Sequence, residues 1–187
     1  MSGWTNRPDS FGRISRSLHW LMALAILAML VLGRTIATME PGLSTLWLYG
    51  LHKSIGVTLL ALALLRLVWH RFSPPPAPLP GPPPWQMRTA RATHAAFYVL
   101  MVAVPASGWA ASGATGLDVL IFDRWVLPPL APVSQAWEDR LFALHGVLTK
   151  ALALLVVLHV AAALKRQYRD RDGTLHRMLS GRARPRR

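Results

Sequence analysis

Four blocks of apolar residues alternate along the chain with short stretches rich in arginine and proline. The first runs from about Leu18 to Met39 and opens LHWLMALAILAMLVLG. The second, about Gly50 to His70, contains LHKSIGVTLLALALLRLVW, and the third, about Arg91 to Ser112, contains ATHAAFYVLMVAVPASGWAAS. The fourth, about Leu141 to Leu164, reads LFALHGVLTKALALLVVLHVAAAL. Each is close to the ~20 residues that a helix needs to cross a bilayer ~30 Å thick. The pattern predicts an all-α membrane protein, a four-transmembrane-helix bundle forming one domain over residues 1–187. Basic residues before the first block also invite a signal-peptide reading. Its apolar stretch is long for that, and three similar blocks follow.

The connections are equally distinctive. SPPPAPLPGPPPW, between blocks two and three, cannot be helical and reads as a stiff, extended link. Pro105 falls inside block three, where it should kink the helix. The loop from Gly113 to Arg140 holds Pro128, Pro129 and Pro132 and has no clear periodicity. Trp20, Trp47, Trp69, Trp85 and Trp109 fit a belt at the membrane interfaces.

Composition changes the picture in two places. Only 16% of the 187 residues are charged, against 52% hydrophobic. The absence of cysteine excludes disulfides, iron–sulfur clusters, a thiolate haem ligand and covalent haem attachment. The net charge of +13 would suggest nucleic acid in a soluble protein, but here it lies beside the apolar blocks and reads as topology. With four spans, one side collects Arg7, Arg13, Arg16, Arg71, Arg88, Arg91, Lys165, Arg166, Arg169, Arg171, Arg177, Arg182, Arg184, Arg186 and Arg187, against Asp9, Asp170 and Asp172. The other side balances Arg34, Lys53, Arg124, Arg140 and Lys150 with five acids. Both termini are therefore expected in the cytoplasm. The basic tail, 165–187, is expected to be solvated and to bind lipid headgroups. No nucleic-acid recognition motif is present.

Histidines supply the candidate chemistry. His145 and His159 are fourteen residues apart in block four, which on a helix is about 40° short of four turns and a rise of about 21 Å. Both imidazoles leave one face at opposite membrane depths. Imidazole is costly in hydrocarbon unless it binds something, and it is a good axial ligand for haem iron. His19 begins block one at the depth of His159, and His52 begins block two at the depth of His145. The pairs able to share an iron are thus His19 with His159 and His52 with His145. A single site made from all four would have to bridge about 20 Å. His94 opens block three at the level of His19 and His159 and can replace either, contact a propionate, or lie near quinone. His70 and His176 are not expected as ligands. Gly56 and Gly146 allow backbone to approach a flat macrocycle. Arg66, inside block two, is fourteen residues from His52 and is expected to contact a propionate or quinone. Lys53, Lys150 and Arg34 can serve the other haem.

These residues, in ISRSLHW, LHKSIGVTLLALALLRL, ATHAAFY, LHGVLTKALALLVVLHVAAAL and RDGTLHRML, resemble the bacterial cytochrome b561 family over about Phe11 to Leu179. The resemblance implies four helices and two haem b groups held by His19, His52, His145 and His159. It also implies electron exchange between the ubiquinone pool, as acceptor or donor, and a periplasmic one-electron partner, with superoxide as one such donor. The expected class is an electron-transfer oxidoreductase resembling superoxide:ubiquinone oxidoreductases. Two alternatives are a quinone-linked cytochrome b subunit of a dehydrogenase or hydrogenase, working in a larger redox complex, and a haem-free transporter or scaffold.

Overall fold

The computed structural model describes residues 3–182. Four long helices carry the chain: α1 (Arg13–Thr38), α2 (Leu46–Phe72), α3 (Pro84–Ala114) and α4 (Gln135–Tyr168). A 3-10 turn at Leu43–Thr45 leads into α2, and a short helix, α5 (Thr174–Ser180), follows α4. All four long helices are long and apolar enough to cross a membrane. They overrun the expected spans at both ends except for the C-terminus of α1, because turns rich in Arg, Gln and Trp remain helical beyond the apolar stretch. Prolines set several limits. Pro84 sits in the first turn of α3, where its missing N–H costs nothing, and Pro41 and Pro74 follow the ends of α1 and α2.

The packing is that of a protein dissolved in lipid. Val31, Val147 and Leu154 are 69%, 64% and 61% exposed on the helix surfaces. The buried positions are mostly small: Ala63, Ser107, Ala111, Ser112 and Ala114. Small side chains let backbones approach closely where lipid removes the hydrophobic drive between helices. α3 packs along α4, α1 along α2, and α2 along α3, whereas neither α1 nor α2 packs closely on α4 among the described residues. The bundle therefore has an open seam facing α4.

Each end of the bundle is closed differently. At one end, Val119–Ile121 (β1) and Trp125–Leu127 (β2) form an antiparallel hairpin with Val119 opposite Leu127, in a loop whose sequence shows no clear periodicity. Its turn carries Phe122 and Asp123 at φ of 49° and 55°, and the Phe122 N–H donates to Ser54 Oγ at 2.9 Å.

The other end gathers the N-terminal arm, the proline link and the C-terminal segment. Asn6 Nδ2 donates to the Ser73 carbonyl at 2.7 Å, the Ala77 N–H to Pro8, and the Phe11 N–H to Gly181. Trp69 Nε1 donates to Ser15 Oγ at 2.9 Å, joining α2 to α1. Lys165, Arg169, Arg171 and Arg182 of the basic tail are exposed, as a solvated segment requires, but the segment is helical and docked in part. Residues through Tyr168 complete α4, and α5 docks with Arg177 only 5% exposed, donating to the Ala77 carbonyl at 2.8 Å and stacking over Phe11. Burial lowers the Arg177 pKa from its ordinary value, against the opposing pull of Asp9. Arg184, Arg186 and Arg187 lie outside the described residues. Of the five belt tryptophans, Trp20 and Trp109 also donate to backbone carbonyls, those of Met178 and Pro128.

Candidate functional site

The seam is crossed by imidazoles at two levels. At the hairpin end, His52 of α2 and His145 of α4 have ring centres 6.2 Å apart. At the other, His19 of α1 and His159 of α4 are 6.3 Å apart. Two imidazoles on opposite sides of one metal ion, each about 2 Å from it through nitrogen, have ring centres about 6 Å apart. Both pairs fit that separation. Among the described residues no group of three or more His, Asp or Glu side chains is placed to hold a metal ion. Each pair thus suits a metal whose remaining donors come from its own macrocycle.

The hairpin-end pair is seated by backbone. His145 Nδ1 donates to the Val104 carbonyl at 2.9 Å and lies 3.2 Å from Ser107 Oγ, which itself donates to Val104. That bond places the ring proton on Nδ1 and leaves the Nε2 lone pair for a metal. The imidazole reaches α3 because residue 108 is glycine: a Cβ there would lie 3.0 Å from the ring. Gly33 of α1 does the same for His52, with a Cβ position 3.2 Å from Cε1. The sequence reading missed both glycines, together with Ser107 and Val104. The small-residue run PASG at 105–108, inside a membrane helix, was the available signal. Gly56 meets only Met29 at ordinary distance, and Gly146 has open space beside it.

The other pair sits in a more polar setting. His94 lies 5.8 Å from His159 and Phe97 5.2 Å from it. His94 is exposed on α3, whereas His19 and His159 are half-buried. Arg66 of α2 lies near His19, His70, His94 and His159. Arg66 Nε is buried without a hydrogen-bond partner, and the ion pairs among the described residues are Lys165–Asp170 and Arg166–Asp172. A guanidinium within the membrane and lacking a carboxylate suits an anionic or carbonyl oxygen brought by a ligand. One turn beyond it, His70 Nδ1 is 2.8 Å from Tyr98 Oη.

Lys53 points away from the seam, its Nζ donating to the Asp118 carbonyl at 3.5 Å, and Lys150 and Arg34 are exposed. His176 bonds within α5, to Ser180 Oγ.

Comparison with known proteins agrees in extent with this architecture. Residues 10–181 match the family model for prokaryotic cytochrome b561. The chain is 37% identical over 181 residues to "Cytochrome b561 homolog 2" of Escherichia coli (strain K12), covering 94% of each chain. It is 29% identical to "Cytochrome b561 homolog 1" of the same organism, covering 91% of this chain and 97% of that one. It is 27% identical to "Probable superoxide oxidase CybB" of Yersinia pestis, covering 87% and 91%.

Proposed function

Because this chain belongs to the prokaryotic cytochrome b561 family of haem b-binding membrane electron-transfer proteins, we propose that it carries electrons between a periplasmic one-electron donor and the ubiquinone pool. His52 with His145, and His19 with His159, each hold one haem b. Superoxide is the donor that the name of the Yersinia pestis relative suggests. When bound, the haem irons supply the one-electron redox chemistry.

The chain's own residues do the rest. His52 with His145, and His19 with His159, would hold the haem irons from opposite sides of the seam, which would favour electron transfer over oxygen binding. The Val104 carbonyl fixes the His145 tautomer and raises its basicity. His19 is assigned to the second pair over His94 because α1 stands across the open seam from α4, whereas α3 packs directly on α4. Arg66 faces the propionates or the quinone. The clustering of basic residues at the end holding both chain termini supports a cytoplasmic placement of that end, with the hairpin in the periplasm of an inner-membrane protein.

The observation that carries this reading is the pair of ring separations, 6.2 and 6.3 Å, across the same seam. Pyridine hemochrome analysis of intact, fully loaded protein should give two haem b equivalents. Stopped-flow mixing with superoxide should reduce the haem quickly, and added ubiquinone should reoxidise it. A single equivalent would defeat the two-haem assignment, and slow reduction by superoxide would defeat that donor.

A further inference from the structure

His70 and Tyr98 have no part in the axial pairs, yet they are joined across α2 and α3 by a 2.8 Å hydrogen bond. The phenol is the better donor and the imidazole nitrogen the better acceptor, so Tyr98 O–H donates to Nδ1. The ring proton then resides on Nε2, which is buried and has no acceptor among the described residues. A buried donor left unsatisfied is destabilising, and Arg66 Nε, one helical turn deeper on α2, is in the same condition. Two unpartnered donors thus lie one turn apart on one helix. The surface around them is open to lipid: Phe72 is 80%, Val99 65% and Val68 54% exposed.

We propose that His70 and Arg66, with Tyr98 positioning the imidazole, bind the head group of a quinone entering sideways from the lipid beside α2 and α3. A quinone is apolar enough to arrive by that route, and its two carbonyl oxygens accept hydrogen bonds without carrying charge. His70 Nε2–H donates to one of them. The nearest rival for Arg66 is a haem propionate, but that partner leaves the Nε2 of His70, a turn further out, unanswered. This assignment rests on the quinone-linked function proposed above.

The test uses full-length, haem-loaded protein with ubiquinone-1 as the probe. Tyr98→Phe removes one oxygen and frees the imidazole to rotate. His70→Phe removes the donor. Equilibrium dialysis should show ubiquinone-1 binding weakened about threefold in Tyr98→Phe and about tenfold in His70→Phe, as expected for loss of one hydrogen bond. The KM for ubiquinone-1 should rise by the same factors. Haem content, the reduced-minus-oxidised spectrum and the rate of haem reduction by the donor should stay at wild-type values. Unaltered ubiquinone-1 binding in both variants overturns the site. So does a shifted haem spectrum in Tyr98→Phe, which would give the pair to the haem. Should His70→Phe lose its haem, Tyr98→Phe carries the test alone. A wild-type protein that neither binds ubiquinone-1 nor is reoxidised by it removes the parent function as well, which is a different result from a wild type that binds and variants that match it.

Discussion

The two ends of the bundle hold imidazole pairs of nearly the same spacing in very different surroundings. At the hairpin end the pair is seated by glycines and a backbone carbonyl, and the nearest lysine is turned outward to Asp118. At the other end Arg66 and His94 stand near the pair, with the bonded His70 and Tyr98 one turn further out. The first arrangement fixes ring geometry and little else. The second provides donors for oxygens that none of the described residues supplies. Under the proposed function the spacing sets what each pair would hold, while the neighbours set what each end would exchange with: electrons only at one, electrons and an oxygen-bearing ligand at the other.

Removing a proposed ligand tests the comparison most severely. His145→Ala should lower haem content from two equivalents to about one, leaving the His19/His159 signal in place. His19→Ala should do the reverse, and unchanged haem content in either would break the pairing. Arg66→Met comes next. Loss of a positive charge favours the oxidised haem, so the potential at that level should fall by roughly 60 mV, a tenfold change for a one-electron couple. A redox titration in which the hairpin-end haem moves instead would reverse the assignment of the two ends.

Gly108→Ala sharpens the contrast from the other side. The new methyl meets the His145 ring at 3.0 Å, and displacing the ring from Val104 should weaken haem retention about tenfold, in the range for lost outer contacts to a metal ligand. Among the described residues no glycine abuts His19 or His159 in this way, so the second haem should be retained as in wild type. Dialysis against a haem acceptor measures both.

The smallest effect is expected at the joint between α4 and α5, where the Arg166 guanidinium lies 2.5 Å from Asp172. Burial alone would raise the Asp172 pKa, but hydrogen bonds from Thr174 and the Arg166 guanidinium hold it below the usual carboxylate range. A depressed folded value means the stabilisation is fully present above about pH 4 and is lost as pH falls through that folded value. Asp172→Asn should cost about 1–2 kcal/mol in thermal unfolding at neutral pH, and the variant and wild type should converge in strong acid.

Much of this was legible in the residues because membrane helices announce themselves locally. The four helices follow from apolar run length, and the matched depths of His145 and His159 follow from helical rise. What escaped depends on contacts between elements distant in sequence. Gly108 matters only because His145, on another helix, presses against it. The hairpin at 119–127 has no glycine in its turn; Phe122 and Asp123 take the left-handed conformation that usually marks one. Arg177 reads as one more charge in a basic tail, yet it is buried because Ala77 and Phe11 meet it there. The Tyr98–His70 bond likewise required knowing how α2 and α3 face each other.

The Phe11 N–H bonded to the Gly181 carbonyl, and the Arg16 guanidinium to the Leu179 carbonyl, set a schedule on biosynthesis. The opening arm of the polypeptide waits for its acceptors until α5, some 170 residues downstream, has been translated. An emerging chain can settle its hairpin end once α4 is in place, but the opposite end is knitted together only when α5 has emerged. A deletion that removes α5 should therefore leave the inserted helices intact while exposing the N-terminal arm and the proline link to protease.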